Sequence, residues 1–262
     1  MIRITLPDTS PRKLVFYLAM EEYLARNINK IANGTTKEYF FLWRVPPTVI
    51  FGRNQDIEAE VNLEYCKTHN IEFYRRKSGG GCVYADWGNI MTSYITTDTE
   101  VDTVFQRYLD KLASALQSLG FNAVKTEHND VLIDGKKVSG NAFYKMSQSS
   151  IVHGTLLFDV DFNEMSHSIT PSKEKLNSHG VKSVRQRVVN LKEIIDATHQ
   201  QPPHSQSLIS SLALKNYLES YFQTETICLS EHDIKLIEDI EKTYLDEAFI
   251  YGSYLVRRTG SL

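Results

Sequence analysis

The sequence predicts an α+β protein in which helices flank a mixed β-sheet. Residues 14–26 and 101–119 carry apolar side chains at the three- and four-residue spacing of half-buried helices. Residues 39–53 and 122–160 are rich in the β-branched and aromatic residues typical of strands. With 262 residues, 42% of them hydrophobic, the chain is long enough to bury a core between these layers. This length allows one large domain or two small ones, and since no segment has the pattern of a domain linker, a single domain covering residues 1–262 is expected.

The sheet is predicted to begin after the first helix, with YFFLWR at 39–44 and TVIFGR at 48–53. Residues 45–47, Val-Pro-Pro, separate these segments and cannot continue a central strand. The two segments are therefore expected to be neighbouring strands. A helix near 58–69 should follow, and then further strands on both sides of a run of three glycines.

The second half of the chain carries clear turn and capping signals. Asp-Gly at 134–135 predicts a hairpin turn. From about residue 189 the pattern becomes helical, with 198–207 as a surface loop. Ser230 is predicted to cap a final helix that runs through Tyr244.

Composition argues against several classes of protein. A net charge of -3 provides no overall basic surface for nucleic acid. The apolar runs are shorter than the roughly 20 residues that span a bilayer, and the N-terminus has no secretory signal pattern. The three cysteines are expected to be free thiols. A cytoplasmic location follows as the expectation, without a membrane or nucleic-acid partner.

The segment RRKSGGGCVY, residues 75–84, combines three cations with three glycines. Glycines allow backbone N–H groups to approach an anion, and the cations supply charge. The segment is a candidate cradle for a phosphate or adenylate. It lacks the spacing of a P-loop, so a glycine-rich turn beside a charged strand is the alternative.

A second candidate segment is HNDVLIDGKKVSGNAF, residues 128–143. Strand alternation predicts that Lys137 and Ser139 share one side and that Val138 takes the other. A lysine on a concave sheet face can bind a carboxylate and then an acyl-adenylate phosphate; a solvated side chain is the alternative. Asn129 and Asp130 offer oxygen ligands for magnesium, although Asn-Asp is also common in turns.

Two further segments carry polar groups. His153-Gly154-Thr155 leads into an apolar strand, where Gly154 would let a ligand approach the backbone and His153 would serve as a base or as a structural hydrogen-bonder. In GVKSVRQRVVNL, residues 180–191, Lys182, Arg185 and Arg187 form a basic loop, which by composition is a solvated surface.

The order of these segments resembles the lipoate–protein ligase family. RRKSGGGCVYADWGN, HND, GKKVSGNA, HGTLL and GVKSVRQRVVNL follow one another through residues 75–191, and LAMEEYLAR and FLWR…TVIFGRNQ near the start are similar too. The resemblance implies a fold like that of biotin ligases and class II aminoacyl-tRNA synthetases. It also implies activation of lipoate with ATP and Mg²⁺ to lipoyl-AMP. The acyl group then passes to a lysine of a carrier, an E2 lipoyl domain or the glycine cleavage H protein.

The resemblance also implies roles for individual residues, with Lys137 as the catalytic residue. Nucleotide or adenylate contacts are expected from Arg76, Gly79, Gly80, Gly81, Cys82, Val83, Tyr84, Lys137 and Arg185. Lipoate contacts are expected from Lys137, Ser139, Gly140, Ala142, His153, Gly154 and Thr155. Asn129 and Asp130 would face the metal, and the loop 180–187 resembles the family's mobile adenylate-covering loop.

Some positions depart from the family pattern. Ala85 stands where His is frequent, His128 where Arg is frequent and Asn141 where Ser is usual. FIYGSYLVRR at 249–258 resembles the close of the catalytic domain, so the small C-terminal accessory domain is expected to be absent. Activation of free lipoate would then depend on a separate accessory protein, or the enzyme would work mainly in transfer.

Two other functions remain open on the sequence. A lipoyl or octanoyl transferase of the same fold would form a cysteine thioester. The stretch SHSITPSKEK, where one kind of transferase carries its cysteine, has none. Cys82 is expected to be a packing residue, although its closeness to Arg76 and Lys77 could lower its pKa. The other alternative is a non-catalytic protein that binds lipoate or its adenylate.

Overall fold

The structure, a computed structural model, describes residues 1–31, 38–170, 187–197 and 210–252. The strands in these ranges are β1 Ile2–Thr5, β2 Glu38–Trp43, β3 Thr48–Phe51, β4 Glu72–Arg75, β5 Val83–Ala85, β6 Asn89–Thr96, β7 Ala123–Lys125, β8 Asp130–Ile133, β9 Lys136–Lys145, β10 Ser150–Leu157 and β11 Glu225–Cys228. The helices are α1 Leu14–Arg26, α2 Ile28–Ile31, α3 Ile57–Glu60, α4 Leu63–Thr68, α5 Val101–Ser118, α6 Phe162–Ser168, α7 Leu191–Ala197, α8 Ser211–Phe222, α9 Glu231–Leu245 and α10 Glu247–Tyr251.

Within the described ranges, eight strands form one mixed sheet in the order β11-β1-β2-β6-β10-β9-β8-β7. β1 is parallel to β2 and β11, and the other pairs are antiparallel. β3 lies between β4 and β5 in a separate three-stranded sheet. Helices pack against both faces of the large sheet. The predicted α+β class, with helices flanking a mixed sheet, is confirmed.

The large sheet separates two hydrophobic cores. One face contributes Phe40, Tyr94 and Val152 to a core that includes buried residues of α5 and α8. The other face contributes Phe41 and Ile95 to a core filled by α1 and α9. Residues paired across antiparallel strands point to the same face of the sheet, and successive residues of a strand alternate between faces. The register of the strands therefore assigns each of their residues to the α1 face or to the α5 face. The candidate site lies on the α1 face.

Several sequence predictions are confirmed. The first helix spans residues 14–26, and β8 and β9 form a hairpin around the predicted Asp-Gly turn. Ser230 caps α9 in a capping box: its hydroxyl accepts from the backbone N–H of Asp233, and the Asp233 carboxylate accepts from the backbone N–H of Ser230. None of the helices in the described ranges is long and apolar enough to cross a membrane.

Other predictions are wrong. β2 and β3 are not neighbours, because the chain leaves the large sheet at residues 45–47 and β3 begins the small sheet. The predicted helix at 58–69 is two short helices, because Asn62 caps α4 with its own side chain after α3 has ended. The sheet begins at β1 rather than at β2, and β11 interrupts the helical end of the chain. The predicted surface loop at 198–207 lies outside the described residues.

The capping box predicts a measurable share of stability. Replacing Ser230 with Ala leaves a backbone donor of α9 without its partner and should lower the free energy of unfolding by about 1 kcal/mol. Urea unfolding followed by circular dichroism measures this change. Ser166→Ala, which removes a hydroxyl bound to a carbonyl within α6, is the control and should stay within about 0.5 kcal/mol of wild type. A loss no larger than that of the control would contradict the assignment of the cap.

Candidate functional site

Three adjacent strands form the floor of the candidate site. His153 in β10 lies between Ser93 in β6 and Ala142 in β9, so the three residues share one face of the sheet. The connection between β4 and β5 lies over this floor: a Cβ built at Gly80 would be 3.9 Å from the Ala142 Cβ. The fold therefore brings the glycine run against the strands that carry the other predicted site residues.

The Arg76 guanidinium organises the backbone of residues 78–82, called the glycine segment below. Its Nε donates to Ser78 Oγ at 3.0 Å and to the Gly79 carbonyl at 3.1 Å. Its Nη2 donates to the carbonyls of Gly79 and Gly81 at 2.7 and 2.8 Å. A single side chain thus fixes the path of the segment from its first residue to its middle.

Arg76 is a buried cation with only neutral acceptors. The residue is 5% exposed, and the remaining contact of its guanidinium is from Nη1 to the Ile50 carbonyl at 3.2 Å. Among the described residues, no carboxylate lies within ion-pair distance of it. Burial lowers the pKa of Arg76 to about 10, so it remains charged at neutral pH. An uncompensated buried charge is costly, and an anionic ligand at the glycine segment would relieve that cost.

Lys77 is held on the other side by α1. Its Nζ lies 2.7 Å from Glu22 Oε2 and 4.4 Å from the centre of the Tyr244 ring. The Tyr244 hydroxyl donates to the same Glu22 oxygen at 3.0 Å. Burial opposes ionisation of Glu22, but the hydrogen bond and charge of Lys77, together with Arg26, hold the pKa of Glu22 below its ordinary value. This contact anchors the start of the glycine segment to α1 and α9.

A second chain of hydrogen bonds joins the segment to α1 through the sheet. Ser78 Oγ lies 2.7 Å from His153 Nε2, and His153 Nδ1 lies 2.7 Å from Glu21 Oε2. The other oxygen of Glu21 accepts from the Ser93 hydroxyl at 2.5 Å, and Ser93 accepts from the Trp43 indole at 2.9 Å. His153 therefore connects Glu21 to the glycine segment. Each of its ring nitrogens has a hydrogen-bond partner, which is the arrangement of a structural hydrogen-bonder.

Lys137 lies at the same floor, beside Asp130. Its Nζ is 2.7 Å from Asp130 Oδ1, and its side chain folds over Gly140, where a Cβ would lie 2.6 Å from Lys137 Cε. Gly140 and Ala142 are two residues apart on one face of β9, a distance of roughly 7 Å. The cationic end of Lys137 and the glycine segment thus lie side by side over β9.

The prediction that Lys137 and Ser139 share one side of β9 is wrong. The pairing of β8 with β9 shifts register between Val131 and Leu132, so that Leu132 faces Lys137 and Val131 faces Ser139. Such a bulge changes which face of the sheet the side chains on the bulged strand point to. Lys137 consequently points to the face of Gly140. Ser139, 1% exposed and paired with Leu156, belongs to the opposite face, away from the floor.

The structure also requires a glycine at position 154 for a different reason from the expected approach of a ligand. A Cβ at Gly154 would lie 1.8 Å from Asn141 Oδ1, so its missing side chain makes room for a protein amide rather than for a ligand. Thr155 pairs with Gly140 across the strands and shares the floor with it. The structure thus gathers His153, Thr155, Gly140 and Ala142 on one face and leaves Gly154 on the other.

The candidate metal residues offer a limited donor set. Asp130 supplies one carboxylate, and Asn129 supplies a side-chain amide whose Nδ2 donates to the Asn141 carbonyl at 2.7 Å. Among the described residues, no group of three His, Cys, Asp or Glu side chains could hold a metal. Mg²⁺ is commonly bound by one or two carboxylates together with the phosphates of a substrate. The donor set fits a magnesium ion that arrives with a nucleotide.

Burial makes Cys82 a poor nucleophile. Loss of hydration, with a smaller contribution from the Glu60 carboxylate, raises the pKa of the Cys82 thiol to about 12, and Arg76 offsets this only in part. The suggestion that nearby cations lower this pKa is therefore wrong. Val83 and Tyr84 continue from Cys82 into β5. Tyr84 pairs with Val49 of β3 and is 2% exposed.

The basic loop is only partly described. Lys182 and Arg185 lie outside the described residues. Arg187 is exposed, and the next residue, Val188, forms a parallel bridge with Lys137. The residue Val188, just after the loop, therefore lies beside Lys137, the predicted catalytic lysine, at the start of β9.

Glu21 and Ser93 belong to the hydrogen-bond chain of the site but were not predicted as site residues. Glu21 had a detectable signal, because two adjacent glutamates interrupt the apolar pattern of α1 and are each 2% exposed. A buried carboxylate needs hydrogen-bond or charge partners, so its position indicates a structural or functional site. Ser93 lies within β6 and has no comparable signal.

The glycine segment over the sheet face, with the buried Arg76 and Lys137, forms a candidate site whose charges suit an anionic ligand. The catalytic-domain model of the lipoyl protein ligase A/B family matches residues 14–213. Lipoate–protein ligase 1 of Staphylococcus aureus is 36% identical over 209 residues, covering 79% of this chain and 62% of that protein. Lipoate–protein ligase LplJ of Bacillus subtilis is 35% identical over 181 residues, covering 68% of this chain and 53% of that protein.

A solved structure agrees with these sequence matches. It belongs to an archaeal lipoylation system, a bi-partite lipoate protein ligase and its E2 lipoyl domain from Thermoplasma acidophilum. It superposes with a TM-score of 0.79 at 26% identity and covers 96% of both chains. The chain belongs to the lipoyl protein ligase A/B catalytic domain family. It spans between about half and two thirds of the length of the two bacterial relatives.

The raised pKa of Cys82 predicts its chemical reactivity. At pH 8 roughly one Cys82 thiol in ten thousand is ionised, and the thiolate is the reactive form. Iodoacetamide should therefore modify the exposed Cys228 and leave Cys82 unmodified over the same time, as measured by peptide mass spectrometry. Modification of Cys82 should increase as the pH rises toward 12. Equal rates for the two cysteines at pH 8 would contradict the buried, protonated thiol.

Proposed function

We propose that this protein activates lipoate with ATP and transfers the lipoyl group to a lysine of a carrier domain. The observation that carries the proposal is that the glycine segment, held by a buried Arg76 without a carboxylate partner, lies over the sheet face that also carries Lys137. This arrangement suits a ligand with a phosphate near Arg76 and a carboxylate or acyl phosphate near Lys137. Family membership supports the same chemistry.

In the first step, a carboxylate oxygen of lipoate attacks the α-phosphorus of ATP, and the bond to pyrophosphate breaks. The protein brings two anions together, so its main task is to neutralise and orient them. Lys137 would bind the carboxylate and then the bridging phosphate. Backbone N–H groups of Gly79 to Tyr84, with the charge of Arg76 behind them, would surround the adenylate.

Asp130 and Asn129 would hold a magnesium ion, which supplies charge neutralisation of the phosphates when bound. Lys137, now paired with Asp130, would then turn toward the lipoate carboxylate. His153, Thr155, Gly140 and Ala142 would line the part of the floor that receives the acyl chain. Arg185 and the loop 180–187 would cover the adenylate.

In the second step, the neutral amine of the carrier lysine attacks the carbonyl of lipoyl-AMP and AMP leaves. The reaction needs no enzyme nucleophile, which agrees with the raised pKa of Cys82. This disfavours a transferase that works through a Cys82 thioester. A protein that only binds lipoate would not need a cation beside both the acyl and the phosphate position.

The carrier would be an E2 lipoyl domain or the glycine cleavage H protein, and the archaeal neighbour described with its E2 lipoyl domain supports the first. Because that neighbour is bi-partite, we include a separate accessory protein that assists activation. A reducing, cytoplasmic location suits the three free cysteines.

The direct test is an assay with purified protein, ATP, Mg²⁺, lipoate and an apo carrier domain. Pyrophosphate release and a lipoyl mass increase on the carrier are expected, either with this protein alone or when the accessory protein is added. Transfer from synthetic lipoyl-AMP should occur without the accessory protein. Transfer only from an acylated carrier, abolished by Cys82→Ala, would overturn the proposal.

Lys137→Ala should reduce kcat at least about 100-fold, because a cation that stabilises developing charge in a dry site contributes roughly 3 kcal/mol. Lys136→Ala is the matched control, since Lys136 is exposed, adjacent and of the same chemistry, and it should keep kcat within about twofold. Both variants are measured by lipoyl-AMP formation and by transfer to the carrier. An unchanged kcat in Lys137→Ala would refute the mechanism.

A further inference from the structure

Asn141 joins β9 to the turn that precedes β8. Its backbone N–H and its Nδ2 both donate to the Asn129 carbonyl, at 3.1 and 2.9 Å. In return, Asn129 Nδ2 donates to the Asn141 carbonyl at 2.7 Å. Three hydrogen bonds thus tie two residues that are 12 positions apart in the chain.

The Asn141 side chain is itself fixed in place. The residue is 5% exposed, its Nδ2 also donates to Ser139 Oγ at 3.2 Å, and its Oδ1 lies over Gly154 in the space that a side chain would fill. Its Oδ1 has no hydrogen-bond partner among the described residues. A buried amide oxygen without a partner costs free energy. The amide is therefore held in place by its Nδ2, which donates to the Asn129 carbonyl.

The residue after Asn129 is Asp130, the partner of Lys137. Asp130 is held from the other side as well, because its N–H donates to Thr126 Oγ1 at 3.1 Å and its carbonyl accepts from the Thr126 N–H at 2.9 Å. Its carboxylate then lies 2.7 Å from Lys137 Nζ, with the lysine folded over Gly140. The position of this ion pair depends on the turn, and the turn depends on Asn141.

We propose that Asn141 is a positioning residue, which acts through Asn129 and Asp130 to place Lys137 over the sheet face. The inference rests on the proposed function, in which Lys137 carries the chemistry. Asn141 lies on the face of β9 opposite the floor, so its effect is transmitted rather than direct. Small displacements of a reacting group reduce the rate steeply.

The first test is Asn141→Ala, which removes the Nδ2 donor and keeps the backbone bond to Asn129. It should lower kcat for lipoyl-AMP formation, or for transfer from lipoyl-AMP, about tenfold. Asn190→Ala is the matched control: Asn190 is also buried and bridges backbone groups, those of Val160, at 2.9 and 3.0 Å. It should lower the Tm and leave kcat within twofold.

The second test asks whether the effect passes through Asp130. In an Asp130→Asn background, Asn141→Ala should add less than a twofold loss, because the path it acts on is already broken. A full tenfold loss in both backgrounds would overturn the proposal and indicate a general packing defect. An unchanged kcat in the single variant would overturn it as well.

A third measurement does not depend on activity. Limiting acetic anhydride should acetylate Lys137 more slowly than Lys136 in wild type, because Lys137 is ion-paired and Lys136 is exposed. In Asn141→Ala the ratio of Lys137 to Lys136 acetylation, read by fragment mass spectrometry, should rise several-fold, and in Asn190→Ala it should not. An unchanged ratio in Asn141→Ala would overturn the inference even if the protein proved not to be a ligase. A raised ratio in an inactive protein would place the failure in the proposed function.

Discussion

The structure depends on two adjacent buried carboxylates, Glu21 and Glu22 of α1. Each residue is 2% exposed, and burying a carboxylate is favourable only when hydrogen bonds or opposite charges replace its water. Glu21 is satisfied by His153 and Ser93, and Glu22 by Lys77, Arg26 and the hydroxyl of Tyr244. Because Lys77 and the His153 partner Ser78 are consecutive, the two carboxylates together fix the start of the glycine segment against α1 and the sheet.

This arrangement determines which cations remain for a ligand. Glu22 forms an ion pair with Lys77, and Glu21 contacts His153. Arg76, by contrast, donates only to carbonyl oxygens and to one hydroxyl. Lys137 has one carboxylate partner, Asp130, on a half-exposed side chain. The site therefore contains one buried cation without a counter-ion, Arg76 beside the glycine segment, and one cation over β9, Lys137, that is paired with a carboxylate. Such a pair matches a substrate that carries a carboxylate and phosphates, which is the chemistry of adenylate formation.

Local signals in the sequence predicted those parts of the fold that local interactions determine. The periodicity of α1, the hairpin between β8 and β9 and the Ser230 cap all arise from residues a few positions apart. The glycine segment and Lys137 were found by the order of motifs. Pairings between distant residues were not predictable in the same way: Glu21 and His153 are 132 positions apart, and no local pattern indicates that they meet. The placement of Lys137 and Ser139 on opposite faces was not predicted, because a register shift cannot be detected from strand alternation.

The central claim is that α1 preorganises the glycine segment for an adenylate. Glu21→Gln tests it most directly, because Glu21 accepts hydrogen bonds on both oxygens and an amide of the same shape can accept on only one. The measurement is the Kd of a lipoyl-adenylate analogue, with an acyl sulfamate in place of the acyl phosphate, by isothermal titration calorimetry. Glu21→Gln should weaken binding about tenfold or more while the protein remains folded, and Glu64→Gln, at an exposed position of α4, should leave it unchanged. Equal affinity in Glu21→Gln and wild type would contradict the account.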